Sequence, residues 1–309
     1  MLKFSPRRLL PALSIAALTM FSSASYSFDV IGTMPPKFKA LSTVFPNSEA
    51  VDLVRLAPAL ADGFTPQGVT TDGSIVYISG YIPAEKDYCM LFSINMETMK
   101  QIGEMRLPPA CKHGGGVALV GNKVVVSDTR ALFVLDFPSD GEKQALKPSS
   151  VQKIVLDKPV LGSYITTKKD SFFLGTYSPD CANSKLYEFA NSKLSNTSLS
   201  ADDAIQTIQT PSRLQGAAFE SDQVLWVSSN RKNFGLLQRI ALDGSVPPTS
   251  WRIMRGVEGI VFNKQHELWT VSESGTKHYQ DWSHAMPALL KLNKSRLDPS
   301  KREDVTCLR

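Results

Sequence analysis

A short all-β unit recurs five times along this chain, and that repetition limits the fold more than any other feature. In the stretch from His113 to Asp136 (HGGGVALVGNKVVVSDTRALFVLD), three apolar runs are separated by Gly-Asn and Asp-Thr-Arg corners. That is the pattern of an antiparallel meander. Its opening aligns with four others, giving Pro66-Gln67-Gly68, Lys112-His113-Gly114, Gly162-Ser163-Tyr164, Leu214-Gln215-Gly216 and Val257-Glu258-Gly259, spaced by 46, 50, 52 and 43 residues. After each entry comes a strand ending in a small residue (VYIS, VVVS, FFLG, WVSS, WTVS), then a third strand (MLFSIN, ALFVLD, KLYEFA, LQRIAL, LLKLN). A unit this small cannot bury both faces alone, so repeats of this length pack as blades around an axis. The expected fold is an all-β β-propeller, with five blades favoured over six.

The spacing sets the blades at Gln67–Leu107, His113–Leu156, Ser163–Thr210, Gln215–Ile253 and from Glu258 onward. The last repeat stops at its third strand (289–293), while Val51–Leu56 (VDLVRL) stands alone near the start. An N-terminal strand that completes the last blade closes the ring and removes its free edge. Residues 28–309 then form one propeller domain: 28–60 a lead-in and closing strand, 61–295 the blades, 296–309 a C-terminal tail. A sixth blade requires 28–60 and the tail to combine. The Asn- and Ser-rich stretch 191–200 (NSKLSNTSLS) reads as a mobile loop inside blade three.

Residues 1–27 have the layout of a secretory signal peptide: Lys3, Arg7 and Arg8, then the apolar Leu9–Phe21, then a small-residue tail. The apolar part is short for a membrane span. Cleavage after Ala24 and after Ser27 fit equally well. The expected location is therefore periplasmic or extracellular. Removing the leader lowers the net charge from +5 to +2, which gives no case for nucleic acid, and a monomer without a membrane span is expected. Four cysteines in an exported chain point to disulfides. Cys89 opens the third strand of blade one and Cys111 follows its fourth, so antiparallel neighbours bring them together. Cys181 with Cys307 is the pair that remains.

The loop entering each innermost strand and the loop after the second strand emerge on one face, where blades converge on a funnel. The entries supply Gln67, His113, Ser163 or Tyr164, Gln215 and Glu258; the second-strand ends supply Asp128, Arg130, Thr176, Tyr177, Asn230, Arg231 and Glu273. Buried polar groups must find partners among themselves, in water or in a ligand. A water-filled brace and a ligand site both satisfy that demand. As a ligand site, the axial set is Gln67, His113, Asp128, Arg130, Tyr164, Gln215, Glu258 and Glu273. A divalent cation such as calcium would take Glu258 as its ligand, with further oxygens from the glutamines and from Asp128 and Glu273. His278, Tyr279, Trp282 and His284 crowd the loop 273–288, either as an aromatic lid or as packing that holds the loop down. HGGG at 113–116 matches the oxyanion loop of esterases, but the chain has no G-x-S-x-G elbow. His266-Glu267 lacks the second histidine of a zinc motif.

The run PQGVTTDGSIVYIS at 66–79 and Val126-Ser127-Asp128-Thr129 resemble the gluconolactonase/regucalcin superfamily of β-propellers. There a P-N-G entry is followed by D-G and a Y-V-S strand. The resemblance implies a propeller and, for its catalytic members, lactone hydrolysis with an axial divalent cation held by Glu, Asn and Asp. Gln67 stands where the entry asparagine would be a metal ligand, and the acidic entry Glu258 comes last rather than first. The Q-G, H-x-G-G and E-G-I entries are closer to uncharacterised secreted bacterial propellers, for which the likeness implies fold and export. Two functions follow as expectations: a polar axial site that binds a small polar ligand or a protein partner, or a metal-dependent hydrolase of the lactonase type. Catalytic residues are not assigned.

Overall fold

Alternating apolar residues in short runs bounded by Gly, Asn and Asp leave each segment with one partner on either side and a core on both faces. The computed structural model describes residues 31–84 and 87–303, and these runs become five antiparallel sheets, one per repeat. Blade one is Thr65–Thr71, Ile75–Ile82, Tyr88–Asn95 and Gln101–Arg106. Blade two is Gly116–Val120, Lys123–Asp128, Ala131–Asp136 and Ser150–Leu156. Blade three is Tyr164–Lys168, Ser171–Gly175, Lys185–Ala190 and Gln206–Gln209. Blade four is Leu214–Ser221, Val224–Asn230, Gly235–Ala241 and Thr249–Ile253. Blade five takes Val257–Phe262, Leu268–Ser272 and Ala288–Leu292 from the C-terminal part of the chain. Its outer strand is Val51–Leu56, antiparallel to Ala288–Leu292 with Val51 opposite Leu292 and Leu56 opposite Ala288. The fold is a five-bladed β-propeller closed by its N-terminal strand, as expected from the repeat. The leader, residues 1–27, and Cys307 with its pairing to Cys181 lie outside the described residues. No helix among the described residues is long and apolar enough to cross a membrane.

The apolar side chains collect in five clusters, each lying between neighbouring blades. Tyr77, Leu91 and Leu107 of blade one meet Val124, Val126 and Phe133 of blade two, and Tyr164 and Phe173 of blade three meet Leu214, Leu225 and Val227 of blade four. Burial is thus distributed around the ring, and the axis is left to polar residues. With only five blades the innermost strands crowd one another. A Cβ on Gly68 would lie 2.6 Å from the Cα of Gly116, and one on Gly259 would lie 2.9 Å from the Cα of Gly68. Real Cβ atoms do not approach that closely, so the glycine of the repeated X-Gly entry is demanded by the narrow axis.

That ring also corrects the alignment of blade two. Gly68 pairs with Ser79 and Gly116 with Ser127, so the residue equivalent to Gln67 is Gly115, not His113. His113 sits two residues earlier, ahead of a left-handed turn at Gly114 (φ 61°). Two outer segments also differ from expectation. The stretch 191–200 is not a free loop: Ser198–Leu199 pairs parallel to Val155 and Leu156, adding a fifth strand to blade two. From the tail, Arg302–Glu303 pairs with Ser250 and Trp251 and extends blade four. Both cover an outer strand that would otherwise present unpaired backbone.

Cys89 and Cys111 are bonded, with both side chains fully buried and 5.5 Å between their Cα atoms. The bridge ties the third strand of blade one to the loop that leads into blade two.

Candidate functional site

Five entries converge at one end of the axis, and two carboxylic acids meet there. Glu258 lies at the start of the innermost strand of blade five; Glu273 directly follows the next strand of the same blade, and the two are 2% and 3% exposed. Burying two acids side by side is costly unless one holds a proton. Burial, and then the charge of Glu273, push the Glu258 carboxyl well above its ordinary range. Burial likewise raises Glu273, to about 7, against the pull of hydrogen bonds from Gln67, Glu258 and Tyr279. The pair therefore shares a proton near neutrality, with Glu258 as donor and Glu273 as acceptor.

Three amides, one from blade one and two from blade four, hold this pair. Gln67 Nε2 donates to Glu273 Oε2 at 2.7 Å. Gln215 Nε2 and Asn230 Nδ2 donate to Glu258 Oε1 at 3.0 and 2.9 Å. The backbone sets the sense of two of these amides. Asn230 Oδ1 accepts from the Gly256 N–H at 2.8 Å while its Nδ2 also donates to the Val257 carbonyl at 3.2 Å. Gln67 Nε2 also donates to the Pro66 carbonyl at 3.1 Å. These amides offer N–H groups to the carboxyls, and the Asn230 oxygen is taken by the Gly256 N–H. A calcium-type cage needs carbonyl and carboxylate oxygens converging on one point, and this donor set does not fit one at Glu258.

The pair borders a cavity of about 390 Å³ lined by Gln67, His113, Ser163, Gln215, Glu273 and Tyr279. A second lobe of about 250 Å³ shares Tyr177, Gln215, Glu273 and Tyr279 with the first. An aromatic rim stands over the mouth: His113 stacks on Tyr81 with centroids 4.9 Å apart, and Tyr279 tilts against Trp282 at 4.4 Å. Tyr279 is hydrogen-bonded to Tyr81 as well as to Glu273. Burial raises both phenols, Tyr81 to about 12, so both remain neutral donors. His113 lies deep among protein atoms yet opens onto the cavity, and desolvation lowers its pKa against the opposing charge of Asp128. A carboxyl with a pKa near 7, a neutral imidazole and two phenols can bind hydroxyls and hold or pass a proton.

The remaining expected residues are placed elsewhere. Asp128 turns inward to its own loop, accepting from the N–H groups of His113 at 2.8 Å, Gly114 at 3.1 Å and Lys112 at 3.4 Å. Thr129 rather than Arg130 lines the cavity, and Ser163 rather than Tyr164. Tyr164 is 1% exposed and packs between blades three and four with its ring over Gly175. Thus Gln67, His113, Gln215, Glu258 and Glu273 converge, while Asp128, Arg130 and Tyr164 do not join them. Tyr81 and Arg255 were missed because neither falls on an entry. The sequence signal for Arg255 is its place in the short turn before Val257-Glu258-Gly259.

No protein-family model matches the chain, and no curated protein matches it in sequence. Among solved structures it is similar to the tail fiber of Staphylococcus aureus phage P68, at 11% identity and a TM-score of 0.49, covering 83% of this chain and 55% of that one. It is also similar to the Dos1 propeller, at 12% identity and a TM-score of 0.37, covering 68% of this chain and 53% of that one. The chain spans about half the length of both.

Proposed function

We propose that this chain is an exported binding propeller whose axial cavity holds a small polar ligand. The observation that carries the reading is the Glu258–Glu273 pair, buried but open to the cavity through Glu273. A simple brace between blades is served as well by neutral glutamines, without the desolvation of two acids. Two acids kept beside a cavity, rimmed by phenols and amides, supply both donors and acceptors to a hydroxyl-bearing ligand. The concave, narrow shape favours a small molecule over a flat protein surface. Export rests on the signal-peptide pattern and agrees with the buried disulfide. The lactonase alternative rests on the motif resemblance, and the orientation of the Asn230 and Gln67 amides gives it no cation cage.

A thermal-shift panel of sugars, polyols and hydroxy acids tests the reading on the wild-type chain and on Glu273→Gln. A compound that raises the melting temperature of the wild type but not of the variant supports it. Equal shifts in both proteins contradict it.

A further inference from the structure

The smaller lobe of the axial cavity has a different character from the larger. Arg213, Arg231, Lys232 and Arg255 all line it, against the single carboxyl of Glu273. Among the described residues, none of the four cations forms a salt bridge. Arg231 is held by Nη1 donating to the carbonyls of Ser212 and Asn230, both at 3.3 Å, so its position is fixed without neutralising its charge. The Arg255 guanidinium lies over the Trp282 ring, its Cζ 3.7 Å from the centroid, and its buried Nε has no partner among the described residues. Burial, and then the nearby charge of Arg213, disfavour the charged form of Arg231. Glu273 favours the charge of Arg255 and Glu303 that of Arg231, but both acids are already committed to other partners. Glu303 is already engaged by Arg252, and Glu273 is taken up by Glu258, Gln67 and Tyr279.

Four cations gathered against one carboxyl, itself engaged elsewhere, repel one another, and an oxyanion relieves that repulsion while filling the guanidinium donors. We infer that the smaller lobe is an anion subsite, so that the axial ligand carries a carboxylate or phosphate group beside its hydroxyls. The oxyanion sits among Arg213, Arg231, Lys232 and Arg255. The hydroxyl-bearing part extends past Glu273 into the larger lobe, toward Ser163 and His113. This assignment rests on the axial binding reading and adds the chemical class of its ligand.

The test is titration calorimetry of the whole chain with three probes of matched carbon skeleton: glycerate, glycerol 3-phosphate and neutral glycerol. At least one anion is expected to bind about tenfold or more tightly than glycerol, and Arg231→Gln/Arg255→Gln is expected to lose about tenfold or more of that affinity. Which anion binds better separates a carboxylate from a phosphate ligand. Should that double variant fail to fold, Arg213→Gln/Lys232→Gln serves instead, because both side chains are exposed and make no side-chain hydrogen bond or salt bridge among the described residues. Anion affinity unchanged in the folded double variant overturns the subsite. So does equal affinity for all three probes, and if that binding is lost in Glu273→Gln the axial reading survives. No binding of any probe up to about 10 mM counts against both.

Discussion

Two buried acidic features face the same end of this propeller and are put to opposite uses. Asp128 of blade two spends its carboxylate on three backbone N–H groups of the loop at 112–114. Glu258 of blade five meets side-chain amides and a second acid, and its partner Glu273 opens onto a cavity. A carboxylate met by fixed backbone donors is fully used and braces a turn. A carboxyl met by another carboxyl is not, and its proton is available to whatever enters. Buried acids at the same end of the ring thus distinguish a structural corner from a site.

Removing the brace has the largest expected effect. Asp128→Ala leaves three N–H groups without their acceptor, that of Gly114 buried and those of Lys112 and His113 partly so, and should cost about 4 kcal/mol, measured by urea unfolding. Loss of less than about 1 kcal/mol means water replaces the carboxylate, and the contrast with Glu258 weakens. The same loop is anchored from its other side by Cys89–Cys111, and Cys89→Ala/Cys111→Ala should cost about 3 kcal/mol.

The acid pair should declare itself in pH dependence. The folded state raises Glu273 from 4.5 to about 7, so it binds more protons than the unfolded chain across that window. Stability from this group is therefore fully present below about pH 4.5 and lost as pH rises through 7, on the order of 3 kcal/mol in all. Glu273→Gln cannot titrate and should flatten this decline. An unchanged profile in the variant removes the pair as its cause. The smallest effect is expected for Glu258→Gln at pH 5. There the amide stands in for the protonated acid, and stability should change by less than about 1 kcal/mol.

Much of this was legible because a narrow ring repeats one demand. The Val-rich strands, the X-Gly entries and the isolated Val51–Leu56 announced five blades and their closure. Gln67, Gln215 and Glu258 were found by being aligned, since their blades share one register. Blade two escaped because Gly114-Gly115-Gly116 offers three glycines to align, and only strand pairing selects Gly116. Asp128 was misjudged as axial because a one-letter code does not tell whether a carboxylate faces ligand or its own backbone. Ser198–Leu199 and Arg302–Glu303 pair with strands far from them in sequence, and two-residue pairings leave no periodicity to read. Tyr81 sits near the end of blade one's second strand, two residues past the Ser79 at which the repeat pattern stops, and Arg255 sits in the turn before blade five, outside the aligned positions.

The central claim is that Glu258 and Glu273 share a proton beside the cavity at neutral pH. Carbon-13 NMR of glutamate-labelled protein, titrated across the acid and neutral range with Glu258→Gln and Glu273→Gln as assignments, measures it directly. The account predicts one side-chain carboxyl titrating near 7 and a second still protonated above it. Two carboxyls that both ionise near the ordinary glutamate value of about 4.3 would contradict it.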